Sequence, residues 1–277
     1  MSDGSDPYLY PGTDVLRNVP GFRDAGLLAA FETSKTVQRS YELLSHPVDG
    51  RFDTAHLKAI HKCLFQDVFP WAGEFRTTML GKVEQLGQPA TWFTAPHLLE
   101  HEAGRIFGLL RAADFFRRLS RAEFAQRGAR LLAEIDKLHP FREGNGRTQR
   151  LFIDALSRQP GYQLHFDVVS RERMVQASIA ANNANLGMMT RMFEEITDAG
   201  RIQPLRRAIA FLSREKFNWN DTCIATATAG ESYAGKLVGR DGAAFMMRSD
   251  HNRIFVGQRD DIDPAARIGE RIAFRAS

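Results

Sequence analysis

With 277 residues, 43% of them hydrophobic and 25% charged, the chain has the composition of a globular protein of one large or two smaller units, not of a disordered or fibrous one. A net charge of +4 and a pI near 9.2 are mildly basic. The arginines are spread along helical patterns (Arg105, Arg111, Arg117, Arg118, Arg121, Arg127, Arg130) without interleaved aromatics, which argues for solvated faces and against a nucleic-acid groove.

No apolar run approaches the ~20 residues of a membrane span. Met1 to Asp6 is polar and lacks the apolar region of a secretory signal, so a soluble protein is expected. Cys63 and Cys223 lie far apart without metal-ligand spacing and read as buried thiols in a reducing compartment.

Residues 1–12, with Gly, Ser, Asp and Pro around Tyr8 and Tyr10, read as a flexible arm. A helix is expected from Asp24 to about Leu44, with Leu27, Leu28, Phe31, Leu43 and Leu44 on its apolar side. The turn residues from His46 to Gly50 end it. Asp53 is a fair N-cap for the next helix, where Leu57, Ile60, Leu64 and Val68 recur every three or four residues. Phe69-Pro70-Trp71-Ala72-Gly73-Glu74-Phe75-Arg76 breaks that helix. Thr77 to Ala95 then holds two short strand-like runs around Gly81, Gly87 and Pro89, and the pattern allows a hairpin or an irregular loop. Helices follow from Pro96, with Leu99, Ala103, Ile106 and Leu110 on one face, and from the capping-box pair Ser120 and Glu123. The second of these reads as well buried through Phe124, Gly128, Leu131, Ile135 and Leu138. It should end at about His139, because Pro140 disfavours the α region there.

The chemistry is concentrated in His139-Pro140-Phe141-Arg142-Glu143-Gly144-Asn145-Gly146-Arg147-Thr148-Gln149-Arg150. Gly144 and Gly146 allow tight or left-handed backbone, and Asn is the next most tolerant residue. Beyond Gly146 a helix is expected to about Ser157, with Thr148, Leu151, Phe152 and Ala155 toward a core and Arg147, Arg150 and Asp154 on another face. Its first turn and the Gly-Asn-Gly run form an anion cradle, and the arginines add charge suited to a polyphosphate. Glu143 makes sense beside such a cradle if a divalent cation lies between carboxylate and phosphate. His139 is a candidate general base. These residues on their own point to nucleotide-dependent transfer chemistry.

Two more helices are expected over Val168 to Asn183 and Gly187 to Ala199, with Asn182, Asn183 and Asn185 in the turn between them. A short one spans Pro204 to Arg214. Five short strands then follow: Thr222–Thr228, Ser232–Val238, Ala244–Arg248, Arg253–Gly257 and Ile272–Phe274. They suggest a small antiparallel barrel, with an OB-like fold as the natural candidate.

The run from His139 to Arg150 matches the Fic-family signature, His-x-Phe-x-(Asp/Glu)-Gly-Asn-Gly-Arg-x-x-Arg, at every fixed position. Trp71 to Arg76 is similar to the Trp-Ala-Gly segment that precedes the flap in that family. The order of domains, with Tyr233-x-Gly235 and Phe245-Met246-Met247, resembles secreted Fic effectors of the Bartonella type, which carry a Fic domain followed by an OB-like domain. The resemblance implies a mainly α fold: a Fic domain over 13–200 with a β-hairpin flap at about 77–95, then a connecting helix and OB-like domain over 201–277.

Most Fic proteins transfer AMP from ATP to a protein hydroxyl. By that resemblance His139 is the base and Glu143 holds Mg²⁺. Gly144, Asn145 and Gly146 form the anion hole, with the Asn145 side chain helping. Arg147 and Arg150 bind the β- and γ-phosphates of ATP. Thr91, Trp92 and Phe93 belong to the flap that holds the target protein by strand addition, though Trp92 and Phe93 also suit a core. Asn182 and Asn183 are adenine-side candidates, or ordinary helix-end asparagines. Transfer of another nucleotide or phosphate-containing group, and a non-catalytic binding module, are the alternatives.

Many members inhibit themselves through (Ser/Thr)-x-x-x-Glu-(Gly/Asn). Here the one spacing match, Thr190 to Glu194, is followed by Glu195. A separate small antitoxin-like inhibitor is therefore the expected partner besides the protein substrate. A location in the bacterial cytoplasm, with translocation into a host cell without a classical signal, is a further expectation of the effector resemblance. No nucleic acid or membrane partner is expected.

Overall fold

The computed structural model describes residues 6–82 and 91–277. It divides into two compact units, Met1–Arg118 with Glu134–Gly161, and Leu119–Ala133 with Tyr162–Ser277. The change of composition near residue 200 is therefore a change of secondary structure, not the place where the packing divides.

In the first unit, α1 (Ala25–Ser45) and α2 (Thr54–Phe65) start at aspartate caps: Asp24 accepts from the Leu27 N–H and Asp53 from the His56 N–H. α2 buries Leu57, Ile60, Leu64 and Phe65. The hairpin alternative holds for the described part of 77–95, since β1 (Gly81–Lys82) pairs antiparallel with β2 (Thr91–Trp92), Gly81 opposite Trp92. The rest of the expected flap, 83–90, lies outside the described residues. A single turn at Pro96–Leu98 leads into α3 (Leu99–Ala112).

α4 (Arg121–Leu138) begins with the expected capping box, in which Glu123 accepts from the Ser120 N–H at 2.9 Å. It ends one residue before His139, where the proline rule put it. α5 (Asn145–Ser157) follows the signature loop. Its core face is turned from the expected one. Asn145, Thr148, Gln149, Phe152, Ile153 and Leu156 are buried, while Leu151 and Ala155 are only half-buried.

Residues 6–12 are corrected from flexible arm to anchored segment. Tyr8 is buried, its hydroxyl accepts from the Thr77 N–H at 3.0 Å, and its ring meets Trp71 edge-on. Asp6 pairs with Arg142 at 2.9 Å. The α1 face also differs from the expected one: Leu27 and Leu44 are exposed, and Leu28, Thr36 and Leu43 are buried.

In the second unit, α6 (Arg171–Asn182) and α7 (Gly187–Ile196) are shorter than expected, and α8 (Ala199–Arg214) is longer. α8 begins five residues before Pro204. The cap is Asp198, whose carboxylate accepts from the Gly200 N–H at 2.9 Å. Pro204 thus sits in the second turn, where it costs one helical hydrogen bond, and does not open the helix.

The five strands are β3 (Ile224–Thr226), β4 (Ser232–Asp241), β5 (Ala244–Arg248), β6 (Ile254–Gln258) and β7 (Arg271–Arg275), in the order β3-β6-β5-β4-β7. β4, β5 and β6 form an antiparallel meander and β7 is antiparallel to β4. The expected small antiparallel domain is an antiparallel-rich five-stranded sheet, with two departures from a regular antiparallel barrel. β3 runs parallel to β6, and no β3–β7 ladder closes the sheet among the described residues.

Leu237, Phe245, Met247, Ile272 and Phe274 form the core under this sheet. Gly235 is required there, because a Cβ would lie 2.2 Å from Met247 Sδ and 2.3 Å from the Arg248 carbonyl. A second buried cluster ties helices to sheet: Glu195 binds Arg173 at 2.5 Å and Arg191 at 3.3 Å, and accepts from the Thr226 N–H and hydroxyl. Glu195, the residue that spoils the inhibitory pattern, is thus a structural ion-pair partner.

Candidate active site

α4 delivers His139 as its C-terminal cap. The His139 N–H donates to the Ile135 carbonyl at 3.0 Å, and the residue then turns left-handed at φ +43°. That conformation costs a non-glycine residue about 1–3 kcal/mol, so its surroundings must hold it. The ring stacks on Phe93, with centroids 3.8 Å apart and planes at 12°. Nδ1 lies 3.2 Å from the Asp136 carbonyl and 3.7 Å from its carboxylate. A carbonyl can only accept, so that contact places the proton on Nδ1 and leaves the Nε2 lone pair for a base.

The loop beneath it is clamped from two sides. Asn145 brackets Phe141, its Oδ1 accepting from the Phe141 N–H at 2.9 Å and its Nδ2 donating to the Phe141 carbonyl at 2.8 Å. Its amide therefore works inward, as a turn clamp, where the resemblance had it helping the anion hole. Phe141 is buried and stacks on His61 at 3.8 Å. His61 Nδ1 accepts from the Gly73 N–H at 2.8 Å, so Nε2 carries the proton and donates to the Glu143 carbonyl at 3.0 Å. Burial pushes the His61 pKa down to about 4, which keeps the ring neutral in that role. Gly144 has φ +83°, and a Cβ there would lie 2.3 Å from the Phe65 ring. No other residue fits that turn.

α5 opens with Gly144 as N-cap, which has no side chain to offer the first N–H groups of the helix. Of the three expected anion-hole N–H groups, that of Gly144 is taken, donating to Glu143 Oε1 at 2.8 Å. Glu143 is otherwise half-exposed, 3.5 Å from Arg147. No group of three or more His, Cys, Asp or Glu side chains is placed to hold a metal among the described residues. A Mg²⁺ that arrives with a polyphosphate needs only one or two carboxylates, and Glu143 fits that requirement.

The two signature arginines differ. Arg147 is engaged: it binds the Glu32 carboxylate, donates to Thr36 Oγ1 at 3.2 Å and lies 4.8 Å over the Phe65 ring. Burial raises the pKa of Glu32 while Arg147 opposes the shift. Arg150 has no ion pair or hydrogen bond among the described residues. Its Nη1 lies 3.5 Å from where a Cβ on Gly146 would stand, beside the uncapped helix start. Burial and the charge of Arg147 lower its pKa. A desolvated cation without a counter-ion, next to free N–H groups, is an anion site.

In the flap, Trp92 is exposed at 63% while Phe93 is buried. The core reading therefore holds for Phe93 and fails for Trp92. Thr91 pairs with Lys82 in the ladder. Asn182 ends α6 and Asn183 is its C-cap in an open turn of the second unit, with no side-chain hydrogen bond among the described residues. Glu32, His61 and Arg76 are site residues that the sequence reading missed. Glu32 falls between Leu28 and Thr36 on the buried stripe of α1, an acidic residue at an apolar position, and that spacing is a usable signal.

His139, the uncapped helix start and the unpaired Arg150 stand together on a helical scaffold, an arrangement suited to a polyphosphate. The Fic/DOC family profile matches residues 51–157, which contain this whole loop. A curated protein of Sinorhizobium fredii, named a probable protein adenylyltransferase, is 41% identical over 182 residues, covering 65% of this chain and 90% of its own. The chain belongs to the Fic/DOC family.

A protein adenylyltransferase of Bartonella henselae is 30% identical over 286 residues, 97% of this chain. The chain spans about half of that relative, 52% of its length. Among solved structures, the type IV secretion system effector protein BepA matches with a TM-score of 0.88 and 29% identity, covering 97% of this chain and 95% of its own. The BepC protein of Bartonella tribocorum, solved with bound AMPPNP, matches with a TM-score of 0.63 and 29% identity over 69% of this chain and 96% of its own.

Proposed function

We propose that this chain is a protein adenylyltransferase, transferring AMP from ATP to a Ser, Thr or Tyr hydroxyl of a target protein with release of pyrophosphate. The observation that carries the reading is Arg150, a half-buried cation without a partner among the described residues beside the uncapped start of α5. The names of the curated relatives and the nucleotide bound in BepC support it.

His139 Nε2 takes the proton of the attacking hydroxyl, a contribution of typically ~10²–10⁴-fold. The hydroxyl oxygen bonds to the α-phosphorus as the bond to the β-phosphate oxygen breaks, and pyrophosphate leaves with that electron pair. The N–H groups of Asn145 and Gly146 receive the phosphate oxygens, joined by that of Gly144 once the Glu143 carboxylate turns away from it. Arg150, and Arg147 within the reach its Glu32 pair allows, hold the β- and γ-phosphates. Glu143 is the residue that would hold Mg²⁺, which when bound neutralises phosphate charge. Asn182 and Asn183 are the adenine-side candidates.

The hairpin at Gly81–Lys82 and Thr91–Trp92 receives the target segment by strand addition, with the exposed Trp92 beside it. The meander β4–β5–β6, flanked by β7 and a parallel β3, supports an OB-like second part. Likeness to BepA supports delivery into a host cell. Glu194, the one glutamate at the inhibitory spacing, is followed by Glu195 in place of Gly or Asn, so inhibition of a toxic activity falls to a separate antitoxin-like protein.

Labelled ATP separates the readings. Label at the α-phosphate should pass to protein in a host or bacterial lysate, and label at the γ-phosphate should not. His139→Ala should cut transfer by ~10²–10⁴-fold. Absence of α-label transfer where a control Fic enzyme works would end this assignment, and γ-label transfer would replace it with phosphorylation.

A further inference from the structure

Arg76 is buried to 2% exposure, yet no carboxylate pairs with it among the described residues. Its guanidinium instead donates to three main-chain carbonyls, Nε to His139 at 2.9 Å, Nη1 to Thr78 at 2.8 Å and Nη2 to Thr94 at 2.5 Å. Its backbone N–H donates to the Pro140 carbonyl at 2.8 Å. These acceptors belong to three separate stretches: the loop that carries His139, the segment leading into the hairpin and the segment leaving it.

Phe93, next to Thr94, donates its N–H to the Leu80 carbonyl at 3.1 Å and stacks its ring on His139. One side chain therefore spans the catalytic loop and both feet of the flap.

We propose that Arg76 is a positioning residue for the transfer reaction: its three-way fork holds the His139 backbone in its left-handed turn and fixes the hairpin base to it, so that the imidazole and the strand presenting the target hydroxyl keep one spacing. This rests on the adenylyltransferase reading above.

Two arguments support the role. The left-handed turn at φ +43° is disfavoured for any residue with a Cβ, so the His139 carbonyl needs a strong donor to stay where it is. And a mere core filler would not be a cation, whose burial is costly unless several dipoles face it at once. The planar fork of arginine meets three carbonyls in fixed directions, which the single ammonium of lysine cannot do. A misplacement of about 1 Å between base and acceptor is enough to lower transfer about 10²-fold.

The test uses the full chain with Arg76→Lys, which keeps the charge and removes the fork. ATP affinity should stay within about twofold, since the cradle is untouched, while α-label transfer should fall by about 10²-fold. The Phe93 amide should exchange with solvent about tenfold faster or more. A folded Arg76→Lys protein with wild-type Phe93 exchange would overturn the proposal. This readout needs no activity. If the wild type transfers no AMP, the functional reading falls while it still decides the role of Arg76.

Should Arg76→Lys not fold, the wild-type chain carries the test through the Arg76 Nε–H proton. It should be protected and lose protection together with the Phe93 amide as denaturant is added. Exchange at the rate of a solvated arginine, or loss of protection independent of Phe93, would overturn the proposal.

Discussion

Each unit holds a charge cluster, half-buried in the first and buried in the second, and the two are built to opposite plans. In the second unit Glu195 has no exposure, and every oxygen is taken, by Arg173, Arg191 and Thr226. In the first, Glu143 and Arg147 are partly engaged and Arg150 has no partner among the described residues. A closed cluster is held for structure. An open one pays desolvation with nothing in return until an anion arrives, and is held for a ligand.

The largest expected effect breaks the closed cluster. Glu195→Ala strands the buried Arg173 charge and should cost about 3–5 kcal/mol in chemical denaturation. Replacing both partners, Glu195→Leu with Arg173→Met, should recover most of that loss, because a buried pair often contributes little over apolar packing. ATP affinity in either variant, measured where the protein is folded, should match wild type. A Glu195→Ala protein as stable as wild type would refute the structural role.

The next effect separates the regions by acid. His61 supports the cradle loop only as a neutral ring, and burial lowers its pKa from 6.5 to about 4. The unfolded chain binds the proton first, so the stability from His61 is fully present above pH 6.5 and is lost as pH falls toward 4. The loss should reach about 3 kcal/mol by pH 4. In His61→Gln the urea midpoint should start lower at pH 7 and then fall less between pH 7 and 4. Parallel pH profiles for the two proteins would show that His61 is not the acid-sensitive group.

Much of this frame was legible in the sequence, and the reasons it was incomplete are physical. Caps at Asp24, Asp53 and Ser120 act through residues three or four positions away, so local pattern finds them. Strands β4 to β7 were placed to within a few residues because alternation and turns are local as well. Pro204 misled, since proline favours a helix start but is tolerated one turn further in.

Glu32, His61 and Arg76 escaped because their partners at Arg147, Glu143 and His139 are 63 to 115 residues away. Polar residues on an apolar stripe say only that a partner exists. The turned face of α5 has a similar cause: Asn145 and Gln149 are buried polar residues that bond the Phe141 and Ile135 backbones, so polarity alone did not mark the outer face.

The smallest effect sharpens the comparison most, because the two plans predict opposite signs. Arg150→Met removes a cation that burial and Arg147 already disfavour. In a closed cluster that would destabilise the fold, as at Glu195. Here the fold should lose nothing and gain a little in urea midpoint, since an uncompensated half-buried charge is removed. Nucleotide affinity should move the other way. Losing charge-assisted hydrogen bonds to phosphate costs about 1.5–3 kcal/mol, or roughly 10- to 150-fold in Kd for ATP. Arg150→Lys should fall between, because a single ammonium keeps the charge without the two-pronged contact. The wild-type affinity should also weaken with added salt more steeply than that of Arg150→Met. Calorimetric titration with ATP, paired with urea melts of the same samples, reads both quantities. A variant that is destabilised but binds ATP normally would make Arg150 a structural residue and leave the cradle without its principal cation.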